Sequence, residues 1–289
     1  MSGQLRALRN RIRSVENTKK ITRAMEMVAA AKLRRFQDMM TKSRAYTQGL
    51  ESLLKRVSGG PYAETHPFIK AREEKNIALV LMTSDAGLCG SYNNDLATTA
   101  NIFIKKQGKK PVLIGVGKSG ITAMKAQGLS CKQSFTDIRA SRVEEILLEL
   151  RGTLEDLYVS GEVDAIYVVY SHFKTVTTFK PLVEKLLPLE RPVFDEKTQE
   201  LAKEYIFEPT PEIVFQKLVP LFFEAKMRMI FLEAIVSEQI ARMTAMNQAT
   251  KNAKEMIDTL VLKRNKARQA AITKELIEIV SGSQALKLK

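Results

Sequence analysis

The side chains best suited to covalent or metal chemistry are few among the 289 residues of this chain. The two cysteines, Cys89 and Cys131, and the two histidines, His66 and His172, lie far apart in the sequence. Neither pair has the spacing of a zinc site, and no histidine stands beside Cys89 to activate it as a nucleophile. The sequence therefore predicts no metal site and no catalytic triad, and it favours cysteines that are buried and reduced.

Glycine-rich segments raise a second possibility, the binding of a nucleotide. Gly115, Gly117 and Gly120 form a GxGxxG pattern after an apolar run, with Asp137 about twenty residues further on. This run is the second predicted strand, whereas the dinucleotide fingerprint usually follows the first. We therefore interpret the pattern as a tight strand-to-helix turn and predict no cofactor. Another loop, SDAGLCG at 84–90, is explained equally well by a ligand site and by a surface presented to a protein partner.

Two long segments without glycine or proline, residues 4–48 and 221–281, flank these loops. Glycine costs a helix about 1 kcal/mol per site and proline about 3, so both segments predict long, unbroken helices. Apolar residues in the first segment recur at the alternating spacings of a heptad, and we therefore predict that the two helices form an antiparallel coiled coil. The predicted seam contains Leu5, Leu8, Ile12, Val15, Phe36, Met39, Ser43, Tyr46, Leu50, Leu53 and Val57.

The apolar seam is interrupted between Val15 and Phe36, because the apolar residues there move to a neighbouring face of the helix. We predict that this second face is reserved for something other than the opposite helix. The interrupted seam positions are Lys19, Thr22, Glu26 and Ala29, and the displaced apolar residues are Ile21, Met25 and Val28.

The middle of the chain has the pattern of an α/β domain. Short apolar runs rich in β-branched residues alternate with helical patterns, which predicts a mostly parallel, Rossmann-like sheet. The predicted strands lie within residues 76–84, 110–117, 163–171 and, as a hairpin at the sheet edge, 175–189. The predicted domains are an N-terminal helix at 1–58, the α/β domain at 76–195 and a C-terminal helix at 209–286.

The net charge of +14 is concentrated in the two helices. Residues 1–60 contain 14 Lys and Arg against 4 Asp and Glu, a net +10, and residues 212–289 contain 13 against 8, a net +5. Such a surface suits nucleic acid, an anionic membrane surface or an acidic protein partner. No apolar run reaches the roughly 18 residues that span a bilayer, so any membrane role is expected to be peripheral. The Arg-rich start has the composition of a transit peptide, but its pattern continues through Glu16 and favours a structural helix.

Long motifs at both ends of the chain resemble a known family. IRSVENTKKITRAMEMVAAAKLRR at 12–35 and ARMTAMNQATKNAKEMIDTLVLKRNKARQAAITKELIEIVSGSQAL at 241–286 are similar to the two signature segments of the gamma subunit of F-type ATP synthases. TSDAGLCGSYN at 83–93, KLLPL at 185–189 and EYIFEPTPE at 204–212 are similar to it as well. The resemblance covers essentially the whole chain.

This resemblance implies a non-catalytic rotor subunit that turns inside a ring of three alpha and three beta subunits. Its rotation would couple transmembrane proton flow to ATP synthesis or hydrolysis on the beta subunits. The family also implies contacts with the epsilon subunit and the membrane c-ring, with no bound cofactor or small-molecule substrate. The implied location is the cytoplasmic side of the bacterial inner membrane, as a peripheral protein.

The resemblance further implies which residues contact the ring of alpha and beta subunits. Met25 matches the segment where family rotors meet an acidic loop of the beta subunit, and Arg242 lies near it on the facing helix. Cys89 is expected close to a beta subunit. The upper contacts with the ring are expected at Arg268, Gln269, Thr273 and Glu278.

Two features depart from the family, and two other functions stay open. Family members often have arginine where Ala86 stands, and the cysteine-bearing insertion of the chloroplast subunits is not visible in 188–211.

The alternative functions are a basic coiled-coil protein that binds nucleic acid and a nucleotide-dependent α/β enzyme. The scarcity of aromatic residues among the basic ones argues against base stacking by the helices.

Overall fold

The computed structural model describes residues 2–175, 178–190 and 207–287. Much of the segment 188–211, and the end of the predicted domain at 76–195, lie outside these residues. The helices are α1 (Ser2–Val57), α2 (Tyr62–Thr65), α3 (Tyr92–Gln107), α4 (Lys118–Lys125), α5 (Val143–Val159) and α6 (Pro211–Lys287). The strands are β1 (Ile77–Met82), β2 (Val112–Val116), β3 (Cys131–Phe135), β4 (Ala165–Thr175) and β5 (Thr178–Leu187).

The chain forms two compact units. The first unit contains α1 up to Ala29 together with α6 from Met243 onward. The second unit, Ala30–Arg242, contains the sheet, the shorter helices and the remaining parts of α1 and α6. The fold therefore combines an α/β sheet with two long helices, as the sequence predicts, while the predicted boundaries of three domains stay a prediction.

The sheet has five strands in the order β3-β2-β1-β4-β5, with the hydrophobic β1 at its centre. Each residue of β1 is buried, as expected for a strand covered by helices on both faces. The first four strands are parallel, and β5 pairs antiparallel with β4 at the edge. The mostly parallel sheet and its edge strand confirm the prediction. Strand β3 was not predicted, because its sequence CKQSF has too few apolar residues to stand out.

The GxGxxG glycines make room for the chain's own strands. Gly117 has a φ of +89°, and a Cβ there would lie 2.1 Å from the main-chain oxygen of Thr83. The amide of Gly117 donates to the Phe135 oxygen at 2.8 Å, and the amide of Gly120 donates to Thr83 Oγ1 at 2.8 Å. These contacts account for the glycines as a tight turn between β2 and α4.

Burial along α1 follows one continuous heptad pattern, including the stretch where the apolar seam is interrupted. The predicted seam is wrong at Tyr46 and Leu53, which are 55% and 40% exposed, and Met39 is only half-buried. The seam instead uses the residue one position later in each case, namely Met40, Thr47 and Leu54. The sequence spacing therefore placed every second contact wrongly after Phe36, whereas the predicted positions from Leu5 to Val15 coincide with the observed seam. The buried and half-buried heptad positions are Leu5, Leu8, Ile12, Val15, Lys19, Thr22, Glu26, Ala29, Leu33, Phe36, Met40, Ser43, Thr47, Leu50, Leu54 and Val57.

Helix α6 is buried at every residue from Phe231 to Ala241, where it packs within the second unit. This stretch includes polar residues, and each buried polar group needs a partner to offset its lost hydration. Ser237 Oγ donates to the main-chain oxygen of Ser171 at 2.9 Å, and Glu233 Oε2 lies 2.8 Å from His172 Nδ1. These bonds fix the register of α6 on strand β4.

Pro220 lies inside α6 and removes one main-chain hydrogen bond from the helix. The carbonyl left without that bond belongs to Gln216, and the ring of His66 makes a hydrogen bond to the Gln216 main chain. The other ring nitrogen of His66, Nδ1, accepts from the Phe68 amide at 3.1 Å. Burial lowers the pKa of His66, which favours the neutral ring that this arrangement requires. His66 therefore has a structural role at the proline.

We predict that Gly117→Ala destabilises the chain by roughly 2 kcal/mol more than Gly128→Ala. Both glycines have a positive φ, but a Cβ at Gly128 has no atom within 4 Å, whereas one at Gly117 meets the Thr83 main chain. The difference in free energy of unfolding between the two variants therefore measures the clash with the Thr83 main chain, apart from the cost of a positive φ. Free energies of unfolding from urea titration measure the difference, and equal losses in the two variants would contradict it.

Candidate subunit interface

The two helices of the first unit meet along a polar stretch of the heptad seam. Thr22 Oγ1 lies 2.8 Å from Thr250 Oγ1, and Asn247 Nδ2 donates to Glu26 Oε1 at 2.9 Å. The residue numbers rise along one helix as they fall along the other, which confirms the antiparallel pairing. Two of the four interrupted seam positions, Thr22 and Glu26, therefore face the opposite helix through polar partners instead of apolar ones.

The displaced apolar residues of α1 lie on the surface of the first unit. Ile21 is 60% exposed and Val28 is 56% exposed, whereas Met25 is half-buried beside the seam. Met27, on the same part of α1, is 63% exposed. Large apolar side chains grouped on a surface are typical of protein-binding sites, so this face of α1 suits a protein partner.

A basic groove lies between the helices of the first unit, with a volume of about 800 Å³. We define the basic groove by the residues that line it. Within it, Arg23 pairs with Glu26 at 2.9 Å and remains 60% exposed, so part of its charge stays available to a partner. The lining residues are Glu16, Lys19, Lys20, Arg23, Ala24, Met27, Thr250 and Ile257.

The four predicted upper contacts are all exposed on α6. Thr273 Oγ1 donates to the main-chain oxygen of Gln269 at 3.0 Å, and Glu278 lies 3.7 Å from Lys274 Nζ. Large apolar residues are exposed among them, so this end of α6 presents a mixed polar and apolar surface. The predicted contacts are Arg268, Gln269, Thr273 and Glu278, and the exposed apolar residues are Ile272, Leu276, Ile277, Ile279 and Val280.

Cys89 lies inside the second unit, with only 2% of its surface exposed. Its sulfur lies 3.2 Å from Asn93 Nδ2 and 3.7 Å from Ser84 Oγ. Its neighbour Leu88 is an exposed large apolar residue of the loop, with 60% of its surface exposed and a φ of 62°. The proximity of Cys89 to a beta subunit stays a prediction.

Arg242 is also turned toward its own chain. Its side chain is 11% exposed, and its guanidinium donates to Glu238 Oε1 at 2.5 Å and to the main-chain oxygen of Ala86 at 2.8 Å. The structure thus brings together two predicted contact residues, Arg242 and Cys89, around one loop. A direct contact between Arg242 and the ring stays a prediction.

Sequence reasoning assigned no role to two acidic residues of this site, Glu238 and Asp85. Glu238 is 9% exposed, and burial raises its pKa while Arg242 opposes that shift. Asp85 accepts from the amides of Lys118 at 3.1 Å and Ile138 at 2.7 Å, which ties the loop to two other segments. A glutamate inside the apolar run LEAIVSEQIA was the available signal, because a buried acid requires a partner.

The described residues contain neither a cluster of metal ligands nor a helix that could span a membrane. Among 2–175, 178–190 and 207–287, no three His, Cys, Asp or Glu side chains form a group that could hold a metal ion. Over the same ranges, no helix is long and apolar enough to cross a bilayer.

Similarity to known proteins extends over nearly the full length of the chain. The sequence model of a family described as ATP synthase matches residues 4–286. The ATP synthase gamma chain of Moorella thermoacetica is 41% identical over 283 residues, which cover 98% of this chain and 99% of the relative. The chain belongs to the ATP synthase gamma chain family. The gamma chain of Desulforamulus reducens, 40% identical over 282 residues, is a further relative of the same kind.

Solved structures share the fold of this gamma chain family member. A chain of the mitochondrial ATP synthase of Euglena gracilis matches with a TM-score of 0.67 at 18% identity, covering 99% of this chain and 95% of that one. A chain from the central stalk and c-ring of the Tetrahymena thermophila enzyme matches with a TM-score of 0.59 at 22% identity, covering 79% and 99%. The arrangement of long helices and α/β sheet is therefore that of known ATP synthase chains.

We predict that acid weakens the contact between Glu26 and Asn247 in this gamma chain. The hydrogen bond from Asn247, and then the Arg23 pair, lower the pKa of Glu26 below its ordinary value of 4.5. A lowered folded pKa adds stability above the unfolded value, and this stability is lost as pH falls through the folded value. The free energy of unfolding should therefore exceed that of Glu26→Gln by a constant amount above about pH 6 and by less below about pH 4.5.

Asn247→Ala is the second variant for this measurement, because it removes the largest cause of the shift and keeps the carboxylate. The acid-dependent loss of the free energy of unfolding should therefore be smaller in Asn247→Ala than in the unaltered chain. If the gap between the chain and Glu26→Gln stays constant down to pH 3, the paired carboxylate does not contribute as described.

Proposed function

We propose that this chain is the rotor of the central stalk of an F-type ATP synthase. The observation that carries the proposal is the antiparallel helix pair of the first unit, which has polar contacts inside and a basic and apolar surface outside. This pair occurs in a member of the gamma chain family that aligns with a relative over 98% of the chain. A rotor needs stiffness and a surface for its bearing. A coiled coil supplies the first, and the exposed residues supply the second.

The proposed partners of the helices are the alpha and beta subunits of the catalytic ring. The basic groove and the exposed apolar residues of α1 would meet an acidic loop of a beta subunit, because opposite fields attract and orient the two surfaces. Arg268, Gln269, Thr273 and Glu278 would meet the ring further along α6, and Met25 would meet it near the groove. The flexible, polarizable side chains of Met25 and Met27 suit a surface that adapts to changing partners.

The chain itself has a non-catalytic role in this proposal. Rotation driven by transmembrane proton flow would change the conformations of the beta subunits, where ATP forms or is hydrolysed. The α/β domain would contact the epsilon subunit and the membrane c-ring. The chain would lie as a peripheral protein on the cytoplasmic side of the bacterial inner membrane.

The alternative of a nucleic-acid-binding protein has less support. Binding of single strands relies on aromatic side chains between the basic ones, and none of the residues that line the basic groove is aromatic. The identity of about 40% with gamma chains over the full length favours the rotor.

We predict that this chain co-purifies with the alpha and beta subunits of an ATP synthase whose gamma chain is one of its relatives. Expressed together, the three kinds of subunit should form one ATP-hydrolysing complex. Lys20→Glu combined with Arg23→Glu should weaken this assembly by about tenfold or more, because both exposed side chains line the basic groove and the reversed charges repel an acidic partner. Lys106→Glu combined with Lys110→Glu is the matched control, since it changes the charge equally at exposed sites of the α/β domain.

The readouts are the fraction of chain bound to the ring subunits and the ATPase rate of the complex. A chain that neither joins these subunits nor changes their ATP hydrolysis would contradict the rotor proposal. Equal loss of assembly in the two double variants would contradict the role of the basic groove but not the rotor proposal.

A further inference from the structure

The loop between β1 and α3, residues 83–91, is held by hydrogen bonds along most of its length. We call it the 83–91 loop. Asp85 binds two amides from other segments, and Ser84 Oγ donates to the Ala86 oxygen at 2.7 Å. Asn93 Oδ1 accepts from the Ser84 amide at 2.9 Å. These bonds fix both sides of the loop and leave Leu88 exposed at its tip.

The conformation of Leu88 has a cost that these bonds offset. A φ of 62° is unfavourable for a residue with a branched side chain by roughly 1 kcal/mol or more. Such a conformation persists only where the surrounding structure holds it, and it is concentrated at functional sites. The tip of the 83–91 loop is therefore rigid by construction, and its position depends on the groups that bind Ala86.

Arg242 connects this loop to α6. One terminal nitrogen of its guanidinium binds Glu238 on the preceding turn of α6, and the other binds the main-chain oxygen of Ala86. Both Arg242 and Glu238 are nearly buried, with side-chain exposures of 11% and 12%. A planar guanidinium can serve two acceptors at a fixed angle, which a lysine ammonium cannot reproduce in the same geometry.

We propose that Arg242 is a positioning residue that clamps the 83–91 loop to α6, and that the loop, with Leu88 at its tip, makes the contact with the ring. This inference rests on the proposed rotor function and changes the part that Arg242 plays in it. Glu238 belongs to the clamp because it orients the guanidinium. The bond uses the main-chain oxygen of residue 86, so alanine at that position supports the clamp without a side chain of its own.

A direct contact and a clamp predict different results for three variants. If the charge of Arg242 met an acidic partner, Arg242→Lys would keep most of the affinity and Glu238→Gln would change little. If Arg242 positions the loop, Arg242→Lys, Arg242→Ala and Glu238→Gln all release it. Arg264→Lys is the control for replacing an arginine by a lysine. Among the hydrogen bonds of the described residues, the Arg264 side chain is bonded only to the neighbouring Asn265.

The first measurement is amide hydrogen exchange of the full-length chain alone, followed by mass spectrometry. In Arg242→Lys, Arg242→Ala and Glu238→Gln, the amides of Lys118 and Ile138, which donate to Asp85 of the loop, should exchange at least about tenfold faster, while those of β1 and β2 stay protected. Arg264→Lys should leave both amides as they are. Unchanged exchange of these two amides in the three clamp variants would overturn the proposal.

The second measurement is binding of the same variants to alpha and beta subunits. The clamp predicts that Arg242→Lys and Glu238→Gln each weaken binding by about fivefold or more, to a similar extent as Leu88→Ala. Retained affinity in Arg242→Lys and Glu238→Gln, with loss only in Arg242→Ala, would show a direct contact instead. If the unaltered chain does not bind these subunits, the rotor proposal fails, while hydrogen exchange still decides whether the clamp exists.

Discussion

The complete burial of α6 between Phe231 and Ala241 is the constraint on which the rest of the second unit depends. On a helix enclosed on every side, a polar group without a partner costs on the order of 1–3 kcal/mol. The sequence nevertheless places two glutamates, a serine and a glutamine there. Gln239 Oε1 has no hydrogen-bond partner, whereas both glutamates and the serine have one. Their partners, His172, Arg242 and the main chain of Ser171, therefore determine how α6 lies against the sheet and the 83–91 loop.

The same helix meets a different environment after Met243. There only one seam of α6 faces α1, and much of the remaining surface is exposed, including large apolar residues near its end. The polar contacts of Thr22 with Thr250 and of Glu26 with Asn247 allow the seam to continue without apolar side chains at those positions. The apolar residues of this part of α1 are then free to form an outer surface. This division explains how one helix serves both a buried joint and an exposed bearing surface in the proposed rotor.

Much of the fold was accessible from the sequence, and the limits have physical causes. The long helices were predicted because residues 4–48 and 221–281 contain no glycine or proline, and the central strands because their apolar runs are continuous. Strand β3 escaped because it is largely polar. The predicted heptad of α1 was wrong at Tyr46 and Leu53. The predicted heptad frame and the observed one both contain Phe36 and Leu50, so the apolar spacing fits either frame. At the candidate interface, the burial of Cys89 agrees with the expectation of a buried cysteine, whereas the burial of Arg242 depends on tertiary contacts that spacing does not encode. Contacts of Arg268 and Thr273 with the ring stay a prediction.

The central claim is that this chain turns as a rotor within a ring of alpha and beta subunits. The most direct measurement attaches a bead to a cysteine placed at the exposed Glu149 of the full-length chain and holds the assembled ring subunits on a surface. We expect the bead to rotate in one direction when ATP is added and to stop when ATP is removed. ATP hydrolysis by a complex that contains the chain, with no directed rotation of the bead, would contradict the account.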